Sequence, residues 1–225
     1  MIDSYRNLDW DYYGPELWEA TQETIYMVAI TFAISGIVGL ILGVLLYTTR
    51  KGGVLSNAPV FWIINFLVNL IRPVPFIILL AALQPMAIAV IGQGIGNNAV
   101  IHGMVWASTF GVARIVEQNL VSIDPGVIEA ARAMGASRLR IILTVILPEA
   151  VGPLILGYTF VIIAMIDMSA LAGIVGGGGL GNFAIVEGYQ RFRTEVTWLA
   201  VAVIIVMVQA LQLLGNLAAR KVMRR

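Results

Sequence analysis

The chain has 225 residues, 59% of them hydrophobic and only 12% charged, and its mean hydropathy is +0.89. A soluble chain carries about 25% charged residues, so 13 acids and 14 lysines and arginines leave too little ionisable surface to face water, and the chain belongs in a bilayer. A net charge of +1 supplies no basic field for nucleic acid, and the absence of cysteine excludes disulfides, thiolate metal sites and cysteine nucleophiles.

The first twenty residues hold Asp3, Asp9, Asp11, Glu16 and Glu19 against a single Arg6. That is the reverse of the positive start of a cleavable signal peptide, so the first apolar span is expected to stay as an anchor. Trp10, Tyr12, Tyr13 and Trp18 cluster in the same tail, residues 1–20, as aromatics do at a membrane interface. An uncharged run over 24–49 is 26 residues long, where about 20 cross the hydrocarbon core as a helix. Its Ser35, Gly39 and Gly43 make a small-residue stripe that predicts close helix packing, within the chain in preference to between copies.

The next apolar stretch begins near Phe61, is interrupted by Arg72, and runs uncharged over 73–113, 41 residues and too long for one crossing. The chain must turn back at Gly92-Gln93-Gly94-Ile95-Gly96-Asn97-Asn98, whose glycines and asparagines tolerate positive φ. Spans near 61–84 and 99–117 follow. Two more are predicted, at 150–172 and 196–219, and a basic tail closes the chain at 221–225. Five spans put the termini on opposite sides. With the C-terminus in the cytoplasm, eleven lysines and arginines lie inside against Arg6, Arg191 and Arg193 outside, as the positive-inside rule requires.

Between the third and fourth spans the chain is polar yet well punctuated. Asp124-Pro125 supplies an N-cap and a first-turn proline. Glu129 to Met134 are good helix formers, and Gly135 falls where a helix ends left-handed. Ser137 caps a second helix running to Leu147, and Pro148 marks the entry to span four. The expectation is a helix pair over 124–147 on the cytoplasmic face, with Ala130, Ala131 and Ala133 as a low-relief surface for another protein. A compact connecting loop is the other reading that the physics alone leaves open.

Glu129-Ala130-Ala131, then Gly135, then Val145-Ile146-Leu147-Pro148 resembles the cytoplasmic EAA motif of ABC import permeases, with Val145 at the usual isoleucine. The resemblance implies an all-α polytopic membrane protein of the type I importer permease fold: five transmembrane helices and a cytoplasmic coupling-helix pair, the permease domain covering 21–220. Glu129, Ala130, Ala131, Gly135, Leu147 and Pro148 are its expected contacts with a separate ATPase. Two further stretches, Asn69 to Leu80 around Arg72-Pro73-Val74-Pro75 and Met168 to Gly181 with its glycine run, resemble methionine-type permeases. Permeases for phosphonates and quaternary amines share the glycine run, so another amino acid or small solute stays open as cargo.

The resemblance further implies a homodimer in the bacterial inner membrane, surrounded by lipid, with two ATP-binding subunits beneath and an extracytoplasmic substrate-binding lipoprotein above. The chain binds no cofactor and performs no bond-making chemistry in this reading; ATP and magnesium sit on the partner. Its own residues agree, because neither Lys51 nor Lys221 stands in a phosphate-cradling glycine frame. The run Gly176 to Gly181 follows a membrane helix and not a strand, so a flexible outer turn is expected there and not a nucleotide site.

Asp167 is the one acid placed well inside a span, where an unpaired carboxylate costs about 2.5 to 3.5 kcal/mol, so it should face the bundle interior. With Met168 and Ser169 it is a candidate for the translocation path; a hydrogen-bonded acid at a helix interface is the alternative. A secondary carrier using Asp167 as its ion site is the rival from another class, and it predicts internal inverted repeats, of which the sequence has no trace. Arg72 either snorkels to the headgroups or marks a gate or helix break at Pro73 and Pro75. His102, the single histidine, sits on an apolar helix without a second ligand and reads as a packed residue.

Overall fold

The computed structural model describes residues 9–223, and every regular element among them is helical. In chain order these are α1 (Trp10–Thr49), α2 (Ala58–Ile71), α3 (Phe76–Ile91), α4 (Asn97–Val121), α5 (Pro125–Ala133), α6 (Arg138–Ile141), α7 (Leu147–Ala170), α8 (Gly179–Asn182) and α9 (Thr194–Met223). Short π segments, Ile142–Ile146 and Phe183–Tyr189, lead into α7 and out of α8, and a 3-10 segment, Leu171–Val175, follows α7. Asp3, Arg6, Arg224 and Arg225 lie outside the described residues.

Four of these stretches are long and apolar enough to cross a membrane, and α2 with α3 makes a fifth if the bent pair counts as one. Ile30, Ile34, Ile37, Val38 and Ile41 are exposed along α1, a surface that lipid chains satisfy and water would not. At 40 residues α1 is longer than the predicted span. The aromatic tail from Trp10 onward continues the same helix instead of lying apart from it.

The span expected over 61–84 is broken. Asn57 caps α2 by accepting from the Val60 N–H, and α2 ends as Arg72 donates its N–H to the Val68 carbonyl. Neither Pro73 nor Pro75 has an N–H to continue the ladder. Pro75 sits extended at ψ 133 and starts α3 anew. Downstream the predicted turn is present, with Gly92 at φ 74 ending α3 and Gly96 at φ 94 preceding α4.

By its contacts the chain divides into two units. The first holds residues up to 33, 75–106 and 162–211. Its core joins Tyr13 and Ala20 of α1 to Leu180, Phe183, Val196 and Ala200, with the Tyr13 and Phe183 rings edge to face at 6.3 Å. The second holds 34–74, 107–161 and the chain from 212, with a core of Leu46, Val68, Phe110 and Ala113. Here the small-residue stripe packs α1 on α4. A Cβ on Gly39 would lie 2.5 Å from the Val112 Cβ, and one on Gly43 equally close to that of Val116, so only glycine permits this approach.

Candidate functional site

The polar segment of the second unit is built as its caps predict at the N-terminal end. The Asp124 carboxylate accepts from the Gly126 N–H at 2.8 Å and Pro125 begins α5. Gly135, at φ 77, closes α5 with its N–H on the Arg132 carbonyl, while Ala136 donates back to Ala131. Ser137 then accepts from Arg140 N–H at 3.4 Å and starts α6.

Two expectations fail here. The second helix does not run as one α-helix to Leu147; it gives way after Ile141 to the π segment and passes straight into α7, with Leu147 N–H reaching back to the Ile142 carbonyl. Pro148 has no N–H to donate and its ring would clash with the carbonyl four residues earlier, which the wider π turn relieves. Thr144 meets the loosened ladder by donating its hydroxyl to the Arg140 carbonyl at 2.7 Å. Nor do the alanines form one surface: Ala131 is buried with Ile128, while Ala130 and Ala133 are exposed.

Glu129 and Gly135 are exposed, Leu147 is half-buried and Pro148 exposed. Apolar side chains stand out among charges on this segment: Met134 is 82% exposed, and Val127, Leu139 and Leu143 are exposed beside Arg132, Arg138 and Arg140. Glu129 and Arg132 also border a cavity of about 100 Å³ with Tyr47, Arg50 and Gly53. The Arg50 guanidinium lies 4.3 Å above the Tyr47 ring. The turn after α1 is pinned there by Gly53 N–H on Arg50, Leu55 N–H on Thr48 and Asn57 N–H on Thr49.

Arg72 is exposed at the end of α2, on the break. Asp167 is exposed on α7, so within the chain it points away from the packing rather than into it. Met168 is half-buried. Ser169 is buried, its hydroxyl donating to the Ile166 carbonyl at 2.7 Å.

The glycine run is not the flexible turn its composition suggests. Gly178 N–H donates to Asn97 Oδ1 at 2.6 Å, Gly179 N–H to Glu23 Oε2 at 2.7 Å and Leu180 N–H to Thr24 Oγ1 at 2.9 Å. Asn97 Nδ2 completes the clasp on Glu23 Oε1 at 2.8 Å. A Cβ on Gly178 would sit 2.0 Å from the Glu23 carboxylate, so a side chain there would push the carboxylate out of the clasp. An open polar cavity of about 430 Å³ lies alongside, lined by Glu16, Glu19, Glu23 and Glu187. Glu23, Thr24 and Asn97 were not singled out by sequence; an acid and a threonine opening an apolar run, and an asparagine closing a glycine turn, were the available signals.

Residues 35–225 match the family of binding-protein-dependent transport system inner membrane components. The methionine import system permease protein MetP of Bacillus subtilis is 41% identical over 210 residues, covering 93% of this chain and 95% of that protein. The D-methionine transport system permease protein MetI of Escherichia coli K12 is 36% identical over 162 residues, 71% of this chain and 75% of that one. A solved inward-facing methionine ABC transporter, MetNI, superposes with a TM-score of 0.89 at 35% identity, covering 92% of this chain and 96% of its counterpart. With most of its length matched in family, sequence and fold, the chain belongs to the inner-membrane permease components of binding-protein-dependent ABC transport systems.

Proposed function

We propose that the chain forms the transmembrane path of an ATP-driven methionine importer, taking the D or L amino acid, or both, from an extracytoplasmic binding protein. The observation that carries this reading is the agreement in cargo between relatives that the chain covers almost end to end, MetP at 41% identity and the MetNI transporter at a TM-score of 0.89. The EAA-like segment around Glu129 to Gly135 is the seat of a separate ATPase. Its support is local: a capped polar helix pair that leaves Met134, Leu139 and Leu143 exposed among arginines has the apolar centre and charged rim of a docking surface.

Two copies enclose the path, with the N-terminus outside and the C-terminus in the cytoplasm. The exposed Asp167 supports a second copy, because a carboxylate on a spanning helix is not left to hydrocarbon; it faces either the partner or the water of the path. There, Asp167 and Met168 meet the cargo, the carboxylate opposite the amino acid's ammonium, while Ser169 holds the helix from behind. Arg72, at the proline break that ends α2, marks the gate. Closure of the ATPase dimer on ATP draws the two coupling segments together and turns the path outward. Hydrolysis returns it to the inward-facing form.

The test is uptake by liposomes holding the permease, its ATPase and its binding protein. ATP-dependent accumulation of labelled methionine, competed by excess unlabelled methionine and not by a phosphonate or glycine betaine, is expected. Competition by either of those in preference to methionine would overturn the cargo. Replacing Glu129 by Lys, or Gly135 by a bulky residue, should abolish co-purification of the ATPase; uptake left intact would overturn the coupling role.

A further inference from the structure

Arg114 looks in sequence like one more basic residue at the end of a span. Its side chain is only 16% exposed, because it turns onto the neighbouring helix. Its guanidinium donates to Asn65 Oδ1 at 2.9 Å and to Asn69 Oδ1 at 2.8 Å on α2, and it pairs on its own helix with Glu117, itself 13% exposed. Asn69 also donates to Asn65 at 3.2 Å, so the two amides form a ladder one turn long with the guanidinium across both rungs. Burying an arginine and a glutamate in a span is costly, and such residues are kept where they act.

Each end of this fork leads somewhere. Arg114 lies seven residues before Val121, and three residues after Val121 stands Asp124, the cap of α5. Asn69 lies two residues before Ile71, where α2 ends at the Arg72–Pro75 break. The apolar contacts between these helices, Val68 against Phe110 and Ala113, resist separation but allow sliding, because dispersion contacts are non-directional. Arg114 Nη2 donates to both amide oxygens while Nη1 holds Glu117, and a planar group fixed at two nitrogens sets register as well as distance.

We infer that Arg114, held on Asn65 and Asn69, is a positioning residue that ties the helix entering the ATPase-docking pair to the helix that ends in the proline break, so that motion of the one is passed to the other. The inference rests on the docking role proposed above for α5 and α6. Glu117 balances the charge and aims the guanidinium. Lysine in place of Arg114 has a single nitrogen to divide between the amides and Glu117, and loses the register.

The test is the number of cargo molecules taken up per ATP hydrolysed, in liposomes containing the complete transporter. Arg114→Gln, and separately Asn65→Leu and Asn69→Leu, should keep hydrolysis stimulated by the binding protein while uptake per ATP falls about tenfold, the scale of an ordinary coupling between sites. Arg114→Lys should lie between. Combining Arg114→Gln with Asn65→Leu should add nothing, because both remove one interaction. The asparagine variants keep the Arg114–Glu117 pair and so keep the test open if Arg114→Gln fails to assemble. An unchanged ratio, or uptake and hydrolysis falling in parallel, would overturn the tether and leave the importer reading standing. An unmodified transporter without ATP-driven uptake would instead overturn that reading, and the tether with it.

Discussion

The clasp on the glycine run can be opened one hydrogen bond at a time. In Glu23→Ala the Gly179 N–H loses its acceptor at 2.7 Å and Asn97 Nδ2 loses its own at 2.8 Å. Hydrogen bonds to a charged group contribute about 1.5 to 3 kcal/mol each. Glu23 borders an open cavity of about 430 Å³, so water replaces part of the loss and the lower figure applies, giving about 3 kcal/mol for the pair. Glu23→Gln keeps the shape and one acceptor oxygen, which can serve Gly179 or Asn97 but offers Asn97 only a second donor in place of the other oxygen; about half of the loss is expected. As local opening free energy these figures speed amide exchange about 100-fold for alanine and about tenfold for glutamine. The assay is hydrogen–deuterium exchange on nanodisc-embedded protein, following peptides that contain Gly178, Gly179 and Leu180. Exchange rising at these amides in the order wild type, Gln, Ala, with the core of α4 unchanged, is the expected result. Unchanged exchange at Gly179 in Glu23→Ala, or an equal rise along the whole of α1, would refute the clasp as a local fastening.

Three other substitutions bear on the rest of the structure. Gly43→Leu forces a Cβ against the Val116 Cβ and the Ala113 carbonyl, 2.5 and 2.6 Å away, and overpacking of this kind costs about 1 to 3 kcal/mol; the thermal transition of the detergent-solubilised permease should fall, and an unchanged midpoint would mean that α1 and α4 separate freely. Pro148→Ala restores an N–H and removes the reason for the π segment, so that losing its extra residue turns α6 by about 100° relative to α7; the amount of ATPase co-purifying should drop although the alanine variant is no less stable to heat. Asp167→Asn should weaken methionine uptake at low concentration more than at saturation while leaving the assembled complex intact, and identical uptake curves would remove Asp167 from the path.

The parts of this fold that a reading of the residues reached are those written in local signals: uncharged runs of helical length, the Asp124 and Ser137 caps, and the left-handed positions of Gly92 and Gly135. Hydropathy has no sense of direction, so 61–84 read as one span, and the break that splits it into α2 and α3 was legible only in Pro73 and Pro75, as one of two readings of Arg72. Composition likewise treats Ala130 and Ala131 alike; one is exposed and the other buried because the nine residues of α5 turn one side onto the chain. Glycines signalled flexibility at Gly178 and Gly179, yet Gly178 lies against the Glu23 carboxylate and Gly179, at φ 84, donates to that carboxylate across 156 positions of sequence. Arg114 was counted for sidedness, while its amide partners stand 49 and 45 positions away. The common cause is that an apolar chain in lipid gains little specificity from its apolar faces, since lipid tails compete for them on nearly equal terms. Register between its helices therefore falls to close glycine approaches and to a few polar groups, Glu23, Thr24, Asn97, Asn65, Asn69 and Arg114, and each of these acts on a residue far along the chain. A single side chain among them is poorly interpretable alone and well defined in its pair, which is why the substitutions that remove one member of a pair are the sharpest tests of how this permease transmits motion.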